Sequence, residues 1–211
     1  MSQRKMVTQN RKAWEADAYA SWVKAYGLPE KAAAELIKNP THKARRILPY
    51  LGDIKSKRIA NPLGSHGRLG VALALLGAEV TVFDISESNQ KYALELAHNA
   101  GVNLGYVLGD FLSIDLSLFS ATFDAVVLEL GILHYFFELD DFVSQVNALL
   151  VTNGCLVINE FHPLMKKVVR EQEGIASFTG DYFFSEPESV PVAYESFSAK
   201  SSALPGCLVR R

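Results

Sequence analysis

The side chains best placed to do chemistry in this chain are acids and histidines that end apolar runs. Asp84 closes the run Glu79 to Phe83, Asp110 follows Gly109 after Leu104 to Leu108, Glu129 lies in Thr122 to Leu130 with His134 just beyond, and Glu160 and His162 follow Cys155 to Asn159. A carboxylate accepts charge-assisted hydrogen bonds from hydroxyl or amino groups, and an imidazole titrates near neutrality and can take a proton. The most specific spacing is Lys57 to Ser86, KRIANPLGSHGRLGVALALLGAEVTVFDIS. There an apolar strand (Arg58 to Ala60) enters a tight turn, an Ala- and Leu-rich helix follows, and a second strand ends on Asp84. Small turn residues let the backbone approach a ligand, a helix N-terminus offers free N–H groups, and an acid about twenty residues on can grip ribose hydroxyls. That order is a nucleotide-binding half-unit.

The elements that must position these groups are read from periodicity. Trp14, Ala18, Trp22 and Tyr26 recur at helical spacing and predict one helix that stops near Gly27, followed by helices over Pro29 to Lys38 and Thr41 to Leu51. From Lys57 strands and helices alternate, which predicts a parallel sheet covered on both faces. A helix from about Ser86 to Ala100 is stopped by Gly101, TFDAVVLEL at Thr122 to Leu130 reads as a buried central strand, and Asp140 to Leu150 reads as a helix. Asn153-Gly154 reads as a turn into a fifth strand, Cys155 to Asn159. A charged helix is expected over Lys166 to Glu173, and Ser177 to Arg211 has no sustained period. The expected organisation is a helical appendage or lid (1–56), a nucleotide-binding core (57–165) and an irregular tail (166–211).

Gly67-Arg68-Leu69 opening the helix, Leu76-Gly77-Ala78-Glu79-Val80 before the second strand and Phe83-Asp84-Ile85-Ser86 after it resemble one family, the S-adenosylmethionine-dependent methyltransferases of the doubly wound α/β fold. Their first motif commonly ends Gly-x-Gly-x-Gly. With Gly67 as the last glycine, Asn61 falls on the usual acid, Leu63 and Ser65 on the first two glycines, and Gly64 one place off. The resemblance implies a Rossmann-like, mainly parallel sheet and S-adenosyl-L-methionine as cofactor. It implies that Asn61, Gly64, Ser65, His66 and Gly67 line the methionine end, that Asp84 and Ile85 meet the ribose, that Asp110 receives the adenine amino group while Phe111 packs on the ring, and that Glu129 and Leu130 border the methionine. His134 is the candidate general base. Leu63 and Ser65 narrow the room for backbone approach, and Pro62 fixes one φ angle and lacks an N–H. The family usually adds two strands after the fifth; here the tail offers either an abbreviated edge or an edge left for a partner, and a homodimer is one expectation.

Composition bounds the rest. With 211 residues, 49% hydrophobic and 21% charged, the chain suits a single sizeable core, and its net charge of −2 gives no basic field for nucleic acid. The cluster Lys43, Arg45, Arg46 reads as a solvated helix face. Cys155 and Cys207 form no CxxC pair, so neither a disulfide framework nor a metal site is indicated. With no apolar leader core and no apolar run of about eighteen residues, a cytoplasmic protein outside the membrane is expected. A small-molecule methyl acceptor fits this picture. Two alternatives stay open: a non-catalytic S-adenosylmethionine-binding or regulatory protein of the same fold, and an NAD(P)-dependent oxidoreductase, which lacks its Gly-x-Gly-x-x-Gly signature here.

Overall fold

The structure, a computed structural model, describes residues 2–162, 164, 168–172, 175–183, 186–200 and 204–210. Five helices come first: α1 (Gln3–Glu15), α2 (Ala18–Tyr26), α3 (Pro29–Lys38), α4 (Pro40–Ala44) and α5 (Leu48–Leu51). Pro29 and Pro40 stand in the first turns of α3 and α4, where their missing N–H is no loss, and the Asn39 side chain caps α4 by accepting from the His42 N–H at 3.0 Å. Two expected helices are divided. The expected Thr41 to Leu51 helix is broken between α4 and α5, with Pro49 inside the first turn of α5.

The other interruption has a tertiary cause. Instead of one helix through Tyr26, the chain breaks at Ala16 and Asp17, where the Tyr194 hydroxyl donates to the Ala13 carbonyl and accepts from the Asp17 N–H at 3.1 Å. Those two backbone groups are an i, i+4 pair, so the hydroxyl takes the place of one helical hydrogen bond. Asp17 turns its carboxylate to Ser198 Oγ at 2.5 Å and to Lys200 Nζ at 3.4 Å.

The core follows as β1 (Arg58–Pro62), α6 (Arg68–Leu75), β2 (Glu79–Asp84), α7 (Glu87–Ala100), β3 (Gly105–Leu108), β4 (Phe123–Glu129), α8 (Leu139–Leu149) and β5 (Leu150–Asn159). All five strands pair in parallel in the order β3-β2-β1-β4-β5, so the sheet order reverses beside β1 and β4. Open α/β sheets bind ligands in the crevice at such a switch point, beyond the strands' carboxyl ends. Ser86 caps α7 and Gly101 ends it in the left-handed region, as expected. The expected turn at Asn153-Gly154 is instead an irregularity inside β5: the β4 partner shifts between Phe123 and Ala125, and Asn153 adopts a φ of 65°.

The tail forms two antiparallel pairs, β6 (Val169–Gln172) with β7 (Ile175–Phe178) and β8 (Pro187–Val190) with β9 (Cys207–Arg210), neither joined to the main sheet. The expected charged helix over Lys166 to Glu173 is therefore strand at 169–172, where pairing with β7 decides the backbone; residues 166, 167 and 173 lie outside the described set. Asn10 of α1 brackets β9, donating to the Leu208 carbonyl at 2.8 Å and accepting from its N–H at 2.6 Å. Trp22, Ala32, Leu36, Tyr92, Leu96, Tyr194 and Val209 share one buried cluster, which joins the first helices, α7 and the tail. Among the described residues no helix is long and apolar enough to cross a membrane.

Candidate active site

Beyond the carboxyl ends of the strands lies a cavity of about 1140 Å³, larger than the roughly 300–1,000 Å³ that holds one small ligand. Asn61, Gly64, Ser65, His66, Asp84, Ile85, Asp110, Phe111, Glu129, Leu130 and His134 all line it. Gly67 is the predicted site residue that does not. A Cβ there would lie 2.6 Å from Ala93 Cβ and its φ is +72°, so this glycine serves the close approach of α6 to α7 rather than ligand contact.

The turn after β1 keeps the backbone of a glycine loop without its glycines. Leu63 and Ser65 both adopt left-handed φ angles, 51° and 50°. Such a conformation costs roughly 1–2 kcal/mol per non-glycine residue. Gly64 is required for a different reason, since a Cβ would stand 2.5 Å from Asn61 Oδ1. Asn61 is 2% exposed and donates to the Val127 carbonyl at 3.0 Å, while its Oδ1 has no partner; the buried Ser65 Oγ has none either. Buried polar atoms are ordinarily satisfied, so two orphans in one cavity wall mark a place where a polar ligand belongs.

Asp84, 8% exposed, accepts the Ser65 N–H on Oδ2 at 3.0 Å and the Ser86 N–H and Asn89 Nδ2 on Oδ1 at 3.0 and 3.2 Å. A carboxylate has about four lone-pair sites, so one remains toward the cavity rather than room for both hydroxyls of a diol. Burial raises the Asp84 pKa and outweighs these hydrogen bonds. Asp110 accepts from the Leu112 N–H and from Ser113 Oγ, capping a short 3-10 turn, and Phe111 meets Phe83 edge-on at 5.9 Å. Phe111 thus backs the cavity from within the core and is 4% exposed.

At the tip of β4, Glu129 forms an ion pair of 2.5 Å with Lys43 from α4. Lys43 is therefore turned into the cavity and is not part of a solvated face with Arg45 and Arg46. Leu130 and Gly131 then take left-handed φ angles of 54° and 83°, and a Cβ on Gly131 would meet His134 Cε1 at 3.1 Å. This bend is tied down by Glu160, whose carboxylate accepts N–H groups of Gly131, Ile132, Leu133 and Phe161 at 2.5, 2.6, 3.1 and 2.7 Å. Burial works against ionising Glu160, but these donors prevail and hold its pKa below the usual carboxylate range. Glu160 lines the cavity, whereas His162 does not and accepts from the Leu164 N–H at 3.2 Å. His66 stacks on Trp22 at 4.2 Å and on Tyr26 at 5.2 Å, and enclosure by these rings, with the charges of Lys43 and Arg68, drives its pKa well below the ordinary value.

Residues 64–154, from the turn after β1 into β5, match the protein-family model described as "Methyltransferase domain". The fold is similar to that of an S-adenosylmethionine-dependent methyltransferase from Mesorhizobium loti, with a TM-score of 0.60 at 19% identity, covering 83% of this chain and 76% of that one. Phosphoethanolamine N-methyltransferase 1 of Haemonchus contortus, solved with phosphoethanolamine and S-adenosylhomocysteine, gives 0.57 at 18%, covering 76% and 33%. A protein from Methanococcus maripaludis described as an S-adenosyl-L-methionine-dependent methyltransferase gives 0.50 at 20%, covering 62% and 63%. The chain thus spans less than two thirds of the last two relatives. No curated protein sequence matches it. At these identities the likeness establishes the fold: the core is Rossmann-like, with the mainly parallel sheet and flanking helices expected from the sequence.

Sequence reasoning missed Lys43, Trp22 and Leu63 as cavity residues, and Arg68 was seen only as part of the motif. For Lys43 no local signal exists, because its partner is 86 positions away.

Proposed function

We propose that the protein is an S-adenosyl-L-methionine-dependent methyltransferase that moves a methyl group to a small-molecule acceptor by in-line displacement. The observation that carries this reading is the convergence on one cavity of the Asp84 carboxylate and the turn at 61–66, with three buried polar atoms of that turn, Asn61 Oδ1, Ser65 Oγ and His66 Nδ1, left unpartnered. Those residues suit the cofactor: Asp84 accepts a ribose hydroxyl, Asp110 meets the adenine edge, and Asn61, Ser65 and Glu129 face the amino-acid end. When bound, the cofactor supplies a methyl carbon made electrophilic by its sulfonium. The protein's own work is to place and desolvate an acceptor, because displacement at carbon needs alignment more than a large catalytic apparatus. His134, on the bend held by Glu160, takes the acceptor's proton in this reading. The helices of residues 3–38 and the tail act as the lid over the strand tips. The family match gives no support to the oxidoreductase alternative, nor does it favour a non-catalytic binder.

Calorimetry tests the reading directly. Micromolar binding of S-adenosylmethionine and S-adenosylhomocysteine, with none of NAD, is the expected result; binding of NAD alone, or of none of the three, overturns it. Once an acceptor is in hand, His134→Gln should lower kcat and leave S-adenosylhomocysteine affinity unchanged, whereas an unaltered kcat removes the histidine from the chemistry.

A further inference from the structure

The cavity has a second region, walled by rings from the first helices. Trp14 lies 6.3 Å from Trp22, Trp22 lies 5.9 Å from Tyr26, and the Arg68 guanidinium stands 4.0 Å over the Tyr26 ring. Phe197 of the tail approaches Trp22 and Tyr26 to 6.5 and 6.4 Å. All five side chains line the cavity.

Charge in the lining is unbalanced at one place. Lys43 is paired with Glu129, and Asp84, Asp110 and Glu160 each have donors. Arg68 has no ion pair or hydrogen bond among the described residues, and its Nε is buried without a partner. It is also the first residue of α6, whose cap, Gly67, has no side chain and whose first turn has no acid. The positive end of a helix and a permanent cation therefore meet where the protein supplies no anion.

We propose that this ring-walled chamber is the acceptor site and takes a planar apolar carboxylic acid, its flat body against Trp22 and Tyr26 and its carboxylate on Arg68. The inference rests on the methyltransferase reading for there being an acceptor at all. A guanidinium stacked on a ring keeps its N–H edge available, and that fork matches a carboxylate in bidentate fashion. A neutral acceptor of the same shape would enclose the Arg68 charge without a counter-ion, which is unfavourable in a low-dielectric site. The neutral His66 in the same stack offers the acid no competing charge.

Trp14 and Trp22 are the only tryptophans in the chain, so intrinsic fluorescence reports on this wall. With the protein saturated in S-adenosylhomocysteine, trans-cinnamate should perturb that fluorescence at concentrations about tenfold lower than its neutral counterpart, cinnamyl alcohol. Arg68→Gln should bring the two within about twofold by weakening cinnamate alone. Arg68→Lys, which keeps the charge and loses the fork, should hold an intermediate preference and serves if Arg68→Gln does not fold. No preference in the wild type, or a preference that survives Arg68→Gln, overturns the proposal. The cofactor has a carboxylate too, so S-adenosylhomocysteine and 5′-methylthioadenosine are compared by calorimetry in wild type and variant. A loss confined to S-adenosylhomocysteine assigns Arg68 to the cofactor and also overturns the proposal. Failure of S-adenosylhomocysteine to bind the wild type counts against the methyltransferase reading instead; the cinnamate pair, repeated without it, still decides the chamber.

Discussion

At the residue scale the most telling group is Asp84, an acid committed to the fold and to the cavity at once. Ser65, Ser86 and Asn89 hold its oxygens in place. Asp84→Ala should therefore weaken S-adenosylhomocysteine by about 1.5–3 kcal/mol, the range for a hydrogen bond to a charged group, and calorimetry would show it. An unchanged Kd removes Asp84 from the ligand site. His66 gives a pH dependence. Its folded-state pKa lies well below the ordinary 6.5, so below that pH the unfolded chain binds a proton that the folded chain refuses. Stability is then fully present above about pH 6.5 and falls as the solution is acidified, by at most about 1.4 kcal/mol per pH unit from this group. Urea unfolding between pH 7 and pH 5 should show a shallower decline in His66→Phe, which keeps a stacked ring and has no proton to take. Equal slopes would mean that His66 titrates normally in the fold.

Among the elements, the turn between β1 and α6 shows how a motif can lose its glycines and keep its path. Tyr106 donates to the Ser65 carbonyl at 2.9 Å, and Asp84 takes the Ser65 N–H, so neighbours hold a conformation the residue itself disfavours. Ser65→Gly removes both a left-handed side chain and a buried unpaired hydroxyl, and should raise unfolding stability by about 1 kcal/mol. A thermal shift upward together with weaker S-adenosylhomocysteine binding, from loss of the ligand-facing hydroxyl, is the expected pair of readings; a fall in stability would show that the hydroxyl is satisfied. This turn was partly legible in the sequence. Asp84, the helix at 68–75 and the order of strand and turn followed from local pattern, but the left-handed angles at Leu63 and Ser65 did not, because residue type alone argues against them.

Across the whole molecule, the first helices and the tail meet over the strand tips. Tyr194 is the pin, with its ring fully buried and its hydroxyl spliced between Ala13 and Asp17. Tyr194→Phe leaves the Asp17 N–H unsatisfied and the Ala13 carbonyl with only the 3.4 Å bond from the Ala16 N–H, and should cost about 1–3 kcal/mol in urea unfolding. If stability is unchanged while far-UV dichroism gains helix, residues 13–17 have rejoined and the hydroxyl alone had kept α1 and α2 apart.

By itself the sequence determined the alternation of strands and helices, the acids at the strand tips and the parallel sheet they end, because those features are written in short-range periodicity and in turn chemistry that acts over a few residues. Tertiary structure decided what long-range contact alone can decide. It turned Lys43 to Glu129, broke the first helix by inserting Tyr194, withdrew Gly67 from the cavity into the packing of α6 on α7, and left Arg68 as the unpaired charge on a ring-lined wall. Each of these depends on a partner distant in the chain, and no local preference encodes such a partner.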